Sequence, residues 1–212
     1  PGNDMRYTEK RVIASRNFAN KIWNASRFIM MNLEQADFSD VTLEDLTSAD
    51  KWILSKLNTL AKDVTDNMEK YELGIAVQKL NDFLWEEFCD WYIEMVKPRL
   101  YATDDADSQN AALWTLKTVL IDALKLLHPY MPFITEEIFC TLQSEEESIM
   151  ISSWPVYQQE RHFEKEEQEI EILKEAVRGV RNVRTSMNVP PSRKAHVYVV
   201  SAQKELQNPF EE

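Results

Sequence analysis

Apolar side chains recur at the spacing of an α-helix along most of this 212-residue chain, and only three glycines occur in it. An apolar residue at every third or fourth position forms a stripe that buries one face of a helix. We therefore predict an all-α fold, an antiparallel helical bundle with a small α/β appendage at its C-terminal end. The stripe expected to lie at the centre of the bundle comprises Leu73, Val77, Leu80, Leu84, Phe88, Trp91 and Met95, widened by Phe83, Trp85 and Tyr92.

The stripes and the turn residues between them predict six helices. Pro98 and Pro129 are expected to end the third and fourth helices, because proline lacks a backbone N–H and restricts the residue before it. Ser48 is the predicted N-cap of the second helix, since a serine side chain accepts a hydrogen bond from the first helical turn. The predicted helices are Glu9–Leu33, the segment from Ser48 through Val64, Tyr71–Pro98, Ala106–His128, a short helix from Pro132, and Phe163–Met187.

The segments between and beyond the helices divide the chain into two predicted domains. Acidic or turn-rich loops are expected at 34–45, 103–108 and 144–148, and 150–154 is predicted to be extended. Ala195–Val200 is rich in β-branched and aromatic residues and predicts a strand, whose partner we expect near Met150 or outside this chain. The predicted domains are a helical bundle over 1–158 and a long basic helix plus strand over 159–212, with the seam between about Pro155 and Glu164.

The composition excludes several functional classes. No run of about eighteen apolar residues occurs, so we expect no membrane-spanning segment. Residues 1–11 are too polar for the apolar stretch of a signal peptide. Cys89 and Cys140 each lie inside an apolar helical pattern and are expected to be buried free thiols, which suits a reducing, cytoplasmic compartment.

The titratable residues do not form a catalytic or metal-binding pattern. His128, His162 and His196 have no ligand spacing relative to one another or to the cysteines, so we predict no metal site. Adjacent acidic residues diverge by about 100° on a helix, and none has a histidine or lysine partner at a convincing spacing. No glycine-rich phosphate loop or nucleophile motif occurs. We therefore predict no catalytic residue and no cofactor in this chain.

The first predicted helix has one face of unusual chemistry. Asparagine is a poor helix former, so three asparagines on a stripe without any acidic residue indicate a specific partner. Arginine and asparagine side chains suit phosphates and base edges, and aromatic rings beside them suit stacking on bases. The opposite face is apolar and is expected to enter the core. The candidate RNA-binding residues are Arg16, Asn17, Asn20, Lys21, Trp23, Asn24, Arg27 and Phe28.

The net charge of −12 is unusual for a nucleic-acid binder, but it is unevenly distributed. Residues 1–33 carry six basic and two acidic side chains, and residues 171–204 carry seven and two, which leaves a net charge of −21 on the remainder. Two basic segments on an acidic body favour docking of RNA in one orientation over non-specific adhesion. On the residues alone, the polar stripe either contacts RNA or bonds neighbouring loops of the protein itself.

Five segments resemble the anticodon-binding domain of valyl-tRNA synthetases, which are class I aminoacyl-tRNA synthetases. Residues 16–28 (RNFANKIWNASRF) resemble its opening helix, and residues 50–57 (DKWILSKL) resemble the start of its second helix. Residues 127–137 (LHPYMPFITEE) and 153–155 (SWP) resemble elements that the valyl, isoleucyl and leucyl enzymes share. Residues 180–184 (VRNVR) together with 187–194 (MNVPPSRK) resemble the stretch leading towards the C-terminal arm. The first segment is the one that separates the valyl enzymes from the other two.

The resemblance implies a module that binds the anticodon arm of valine tRNA and positions it for ATP-dependent aminoacylation. The catalytic signatures of the family, HIGH and KMSKS, are absent, and residues 1–7 resemble the segment just after the second signature. We therefore expect the catalytic and editing domains, and the ATP site, to precede Pro1 in a longer chain, with a coiled-coil arm after Glu212. Neither DNA nor a membrane is an expected partner.

Three points stay open under this resemblance. Arg178, Arg181 and Arg184 lie beside the apolar stripe of the sixth helix and are candidate contacts to the RNA backbone. They are equally suited to pair with this chain's abundant acidic residues or with the catalytic body. The whole domain is alternatively a scaffold that docks the catalytic body, or the equivalent domain of an isoleucyl or leucyl enzyme.

Overall fold

The computed structural model describes residues 7–34, 36–102, 105–190, 192–194 and 196. Within these ranges the protein is all-α, which confirms the predicted fold class. It divides into two compact units, Pro1–His162 and Phe163–Glu212. The α-helices are α1 (Glu9–Leu33), α2 (Ser48–Glu69), α3 (Leu73–Asp82), α4 (Ile93–Tyr101), α5 (Ala106–Leu127), α6 (Pro132–Leu142) and α7 (Glu164–Ser186), and a π-helix, Phe83–Tyr92, joins α3 to α4.

Helices α2 and α5 form the centre of the first unit. They pack against each other, and α3, α4 and the π-helix surround them. Trp52, Ile53 and Val64 of α2 are fully buried, and α5 is buried over most of its circumference. Helix α1 lies on the outside of this centre, against α5, α6 and the π-helix. One long face of α1 therefore remains outside the core.

The first turn of α2 is closed by a reciprocal cap one residue earlier than predicted. Thr47, not Ser48, is the N-cap: its side chain accepts a hydrogen bond from the Asp50 backbone N–H, while the Asp50 carboxylate accepts one from the Thr47 N–H. The prediction missed this residue because it treated the cap as a single side chain. The Asp50 carboxylate can bond only the backbone N–H three residues before it, and this fixes Thr47 as the N-cap.

The third predicted helix is longer than expected and is not uniform. Tyr71 has a positive φ of 59° and precedes the helix, which begins at Leu73 and continues through the π-helix to Tyr101. Pro98 therefore does not end it. The turn beyond Pro98 is held by the Arg99 guanidinium, which donates to Asp50 of α2 and to Ser108 of α5. The Ala102 backbone N–H closes that turn by donating to the carbonyl oxygen of Pro98.

The π-helix also changes which residues of this long helix are buried. Leu80, Leu84 and Phe88 are buried as the stripe predicts. Leu73, at the start of α3 and before the π-helix, is exposed. Beyond Phe88 the core receives Tyr92, Ile93, Val96 and Leu100, whereas the predicted Trp91 and Met95 are only half-buried. A π-helix bonds i to i+5 and winds less per residue than an α-helix, so the buried face moves by about one position.

The predictions for the segment around Met150 and for the burial of the two cysteines were wrong. Residues Ile149–Ile151 form a 3₁₀ turn instead of extended chain, because Ile149 enters the core and the Ser148 side chain caps the turn. Both cysteines are free, but Cys140 is exposed and Cys89 half-buried. Helix α6 buries Ile138 and Phe139, which turns Cys140 outward. Of the predicted strand Ala195–Val200 only His196 lies within the described residues, and it is not in a strand.

The second unit consists, in its described part, of α7 and the turn after it. Glu164, Glu166 and Glu167 occupy the first turn of α7, and Arg184 occupies the last. Acidic residues at the N-terminal end and a basic residue at the C-terminal end stabilise the helix by interacting with its dipole. Among the helices that the structure describes, none is long and apolar enough to cross a membrane. The described residues also contain no group of three or more histidine, cysteine or acidic side chains that could hold a metal ion.

Asp122 gives a prediction about stability and pH. Burial on α5 raises the pKa of its carboxyl group, although Lys125 and Arg161 act in the opposite direction. A raised folded-state pKa means that ionisation destabilises the fold, and this cost grows as pH rises through the shifted pKa. We expect Asp122→Asn to raise the melting temperature at pH 7. The difference should vanish below about pH 3, where the carboxyl is protonated in both states. Thermal unfolding across this range tests it, and an equal gain at both ends would contradict it.

Candidate nucleic-acid interface

The burial of α1 decides which of its side chains face outward. Phe18, Ile22 and Ile29 enter the core with exposures of 7%, 2% and 0%. These three residues lie on the predicted apolar face, so the polar stripe points away from the bundle centre. Phe18 further stacks on Trp85 of the π-helix, with 6.5 Å between the ring centroids. The packing of α1 thus fixes the direction of the stripe.

The polar stripe of α1 is open. Arg16, Asn17, Asn20, Asn24 and Arg27 are all exposed. In the described part of the chain no hydrogen bond or ion pair engages their side chains. Exposed asparagines without intramolecular partners have their donors and acceptor available to a ligand. The possibility that the stripe bonds neighbouring loops of this unit is therefore not supported.

A groove runs beside the stripe, and its volume is about 530 Å³. We call it the α1–α4 groove. Its first wall comes from α1 and its second wall from the end of the π-helix and the start of α4. The lining residues are Asn17, Asn20, Lys21, Asn24, Ala25 and Phe28 on the first wall, and Cys89, Asp90, Ile93, Glu94 and Lys97 on the second. Five of the eight predicted RNA-binding residues line this groove.

Arg16, Trp23 and Arg27 do not line the α1–α4 groove. All three are exposed on α1, and Trp23 is 41% exposed. They lie on the same helix and are available to parts of a ligand that extend past the groove. The structure thus separates the predicted set into groove-lining residues and exposed residues outside it.

Lys21 is not a free donor. Its Nζ lies 2.6 Å from Asp90 Oδ1 across the groove and 4.0 Å from the centroid of the Trp85 ring. The side chain is 22% exposed. An ion pair and a cation–π contact hold the same ammonium, so Lys21 joins α1 to the second wall. A ligand phosphate would have to compete with Asp90 for it.

The second wall carries groups of both charges. Asp90 is paired with Lys21, and Glu94 with Lys97 one turn further on. The Lys97 ammonium also lies 5.8 Å from the centroid of the half-buried Phe28 ring on the first wall. Carboxylates repel phosphate but accept hydrogen bonds from base amino groups. The groove therefore suits the edge and face of a base better than it suits the RNA backbone.

Cys89 lines the groove but is not a nucleophile. Burial, opposed by Lys21 and aided by Asp90, raises the pKa of its thiol to about 12. A thiol with such a pKa stays protonated near neutral pH, and a protonated thiol neither attacks nor binds metal well. The lining of the groove thus has polar and aromatic groups for binding, and its thiol stays protonated.

The second wall of the groove was not predicted from the sequence. Asp90, Glu94 and Lys97 lie at helical spacing on the third predicted helix, which was a signal that they share one face. Nothing in the sequence states that this face meets α1. That pairing depends on the fold and on the turn of the π-helix.

The three candidate backbone contacts lie on α7, in the second unit. Arg178 and Arg181 are exposed, while Arg184 is half-buried. The Arg184 guanidinium donates to the carbonyl oxygens of Pro190 and Arg193, at 2.8 and 2.7 Å. It therefore closes the end of α7.

Residues 50–199 match the family described as the anticodon-binding domain of tRNA ligase. The chain belongs to this family. The matched range includes the second wall of the α1–α4 groove. Helix α1 precedes the matched range, so its relationship to the family is shown by relatives that match nearly the whole chain.

Those relatives are much longer than this chain. It is 55% identical to the valine–tRNA ligase of Clostridium perfringens over 96% of its own length and 23% of that protein. It is 52% identical to that of Clostridium tetani, over 94% of this chain. It is 44% identical to that of Carboxydothermus hydrogenoformans, over 97% of this chain. In each case it spans 23% of the relative's length.

The fold of this anticodon-binding domain also occurs in a solved structure. The crystal structure of a ternary complex of Agrobacterium radiobacter LeuRS with tRNA and LeuAMS matches with a TM-score of 0.54. The match covers 75% of this chain and 18% of that one, at 14% identity. At this identity the likeness shows that the helical fold is shared.

Proposed function

We propose that this chain binds the anticodon arm of valine tRNA and positions it for ATP-dependent aminoacylation. A catalytic domain elsewhere in a longer valine–tRNA ligase would perform that reaction and hold the ATP. Catalytic and editing domains of the same polypeptide are the proposed protein partners. The observation that carries the proposal is the α1–α4 groove, which is lined by unengaged asparagines in a chain that is 55% identical to a valine–tRNA ligase.

The chemistry of the groove supports single-stranded RNA as its ligand. Loop bases that are splayed from a stem are recognised by stacking and by hydrogen bonds to their edges. Asn17, Asn20 and Asn24 offer both donors and acceptors along one wall, and Phe28 offers a ring. Arg16 and Arg27 lie on the same helix, where a guanidinium suits a phosphate or a base edge. We propose these residues, with Lys21 and Trp23, as the RNA-binding set.

The basic face of α7 is a second proposed contact. Arg178 and Arg181 are exposed on it, and arginine contacts to phosphate position RNA without reading its sequence. Arg184 closes the end of α7, so a phosphate would have to compete with the Pro190 and Arg193 carbonyl oxygens for its guanidinium. In this proposal α1 discriminates between tRNAs by their bases, whereas α7 adds salt-dependent affinity for the RNA backbone.

The direct test is a titration of the chain with valine tRNA, with the same tRNA mutated in its anticodon, and with isoleucine tRNA. We expect the unmodified valine tRNA to bind at least about tenfold more tightly than the other two, since each lost base contact costs roughly 1–3 kcal/mol. The measurement is repeated at several salt concentrations, because phosphate contacts weaken steeply with salt. Equal affinity for all three would overturn anticodon recognition and favour the scaffold role.

Asn20→Ala separates recognition from stability. Alanine is the better helix former by about half a kcal/mol, so the exposed substitution should raise the melting temperature slightly. The same change removes a proposed base contact and should weaken valine-tRNA binding by about three- to tenfold. Asn32→Ala is the matched control on the same helix: its Nδ2 donates to the Phe28 carbonyl oxygen, and it does not line the groove. A matching loss of affinity in the control would contradict the assignment.

A further inference from the structure

A buried carboxylate lies behind the second wall of the α1–α4 groove. Asp50, in the first turn of α2, is fully buried. It accepts hydrogen bonds from the Tyr92 hydroxyl at 2.6 Å and from Arg99 Nη1 at 2.9 and 2.8 Å. It also accepts from the backbone N–H and the hydroxyl of Thr47, at 3.0 and 2.9 Å. We call these four residues the Asp50 cluster.

The two partners of Asp50 on the long helix bracket the α4 part of the second wall. Tyr92 is the last residue of the π-helix and Arg99 lies in the last turn of α4. Between them lie Ile93, Glu94 and Lys97, and Asp90 is two residues before Tyr92. One carboxylate therefore holds both ends of the segment 92–99, which carries the α4 part of this wall and directly follows Cys89 and Asp90.

Arg99 extends the attachment to a third helix. Its Nε donates to the Ser108 hydroxyl at 2.8 Å and its Nη2 to the Ser108 carbonyl oxygen at 2.7 Å, at the start of α5. The end of α4 is thus fixed to α2 and to α5 together. Helix α1, which forms the first wall, contributes no residue to the cluster. The cluster accordingly fixes one wall of the groove independently of the other.

The physical chemistry of the cluster favours precision of geometry over stability. A buried ion pair gains little net stability, because desolvation of both charges offsets their attraction. A buried network in which the carboxylate oxygens and the guanidinium are satisfied admits few alternative arrangements. Burial, reinforced by the charge of Asp50, raises the pKa of Tyr92 well above its usual value, so its hydroxyl remains a donor. The adjoining π-helix is a rare element that is frequent at functional sites.

We infer that Asp50 is a positioning residue for base discrimination: by holding Tyr92 and Arg99, it sets the distance and register of the second wall relative to α1. This inference rests on the proposed function. The cluster itself does not touch the ligand. It determines whether the wall carboxylates and the α1 asparagines reach the same base at once.

The test uses Tyr92→Phe, which removes one hydroxyl and keeps the ring in the core. Dissociation constants are measured for valine tRNA and for the anticodon-mutated tRNA, and their ratio is the readout. We expect the ratio to fall about fivefold, mainly through weaker binding of valine tRNA. Hydrogen exchange should increase over residues 90–101 while α1 stays unchanged. Tyr130→Phe is the matched control, because its hydroxyl donates at 3.3 Å to the Leu73 carbonyl oxygen, outside the cluster and the groove.

The outcomes separate the inference from the proposed function. A wild-type chain that binds both tRNAs equally overturns the proposed function and this inference with it. If the wild-type chain discriminates between the two tRNAs and Tyr92→Phe leaves the ratio of dissociation constants unchanged, the inference is overturned but the proposed function is not. A rise of both dissociation constants by one common factor also overturns the inference alone, since loss of folded protein would have that effect. Arg99→Lys, which keeps the charge but not the forked guanidinium, should lower the ratio as Tyr92→Phe does, and an unchanged ratio there also counts against the inference.

Discussion

Replacing Arg16 and Arg27 together with alanine is expected to weaken valine-tRNA binding by about a hundredfold and to leave the fold intact. Both side chains are exposed on α1, and no partner engages them within the described residues. Each is proposed to form a charge-assisted hydrogen bond to RNA, worth roughly 1.5 kcal/mol or more. Each such loss corresponds to about a factor of ten in the dissociation constant. Exposed substitutions of this kind change the free energy of unfolding by about 0.5 kcal/mol or less.

The controls for this prediction separate charge, geometry and folding. Lys70→Ala removes one positive charge from the exposed C-terminal end of α2 and should weaken binding by about twofold or less. Arg27→Lys keeps the charge but not the planar fork, so an intermediate loss would indicate bidentate contact. If the double variant instead unfolds, and its folded fraction binds with unchanged affinity, the arginines are structural and α1 belongs to a scaffold.

The periodic parts of the fold were predictable from sequence because local rules decide them. The bounds of α1 agree with the prediction at both ends, and α5 and α7 agree within about one residue. In each case an apolar stripe, a cap or a proline marks the end without help from distant residues. The outward direction of the polar stripe on α1 was likewise predictable from the local sequence. A straight α-helix with one apolar face has only one way to lie on a core.

The failures share a different cause, which is that contacts distant in sequence override local signals. Pro98 does not end its helix, because Asp50 and Ser108 hold Arg99 in the turn beyond it. Trp91, within the π-helix, and Met95, just after it, lie outside the core because this helix winds less per residue than an α-helix. The predicted faces assume a uniform α-helix with 100° per residue, so they do not include such a change of winding.

The second wall of the groove was unpredictable for the same reason. Asp90, Glu94 and Lys97 follow the start of the π-helix, so the direction of their side chains depends on its winding. Their opposition to α1 further depends on the packing of Phe18 on Trp85 and on the Lys21–Asp90 ion pair. A sequence pattern therefore identified the first wall of the candidate site, whereas only tertiary packing reveals the second.

Phe88→Ala is expected to cause the largest loss of stability among these predictions. Phe88 is fully buried in the π-helix and stacks on Tyr92 with 6.2 Å between ring centroids. Removing a buried phenyl ring costs about 3–5 kcal/mol through lost transfer energy and the cavity left behind. For a domain of this size the melting temperature should fall by roughly 6–20 °C. Thermal and urea unfolding followed by circular dichroism measure both quantities.

Phe133→Ala is the matched control for this experiment, because the same atoms are removed from a ring that is 90% exposed. We expect it to change the free energy of unfolding by about 0.5 kcal/mol or less. A loss as large for Phe133→Ala as for Phe88→Ala would show that the loss does not depend on burial of the ring. A small loss for Phe88→Ala alone, with unchanged helix content, would mean that the π-helix rewinds towards α-helical geometry and refills the cavity. In that event Asp90, Glu94 and Lys97 would also turn away from α1. Valine-tRNA discrimination would then fall even though stability is kept, which makes the binding ratio of this variant an independent check on the winding of the second wall.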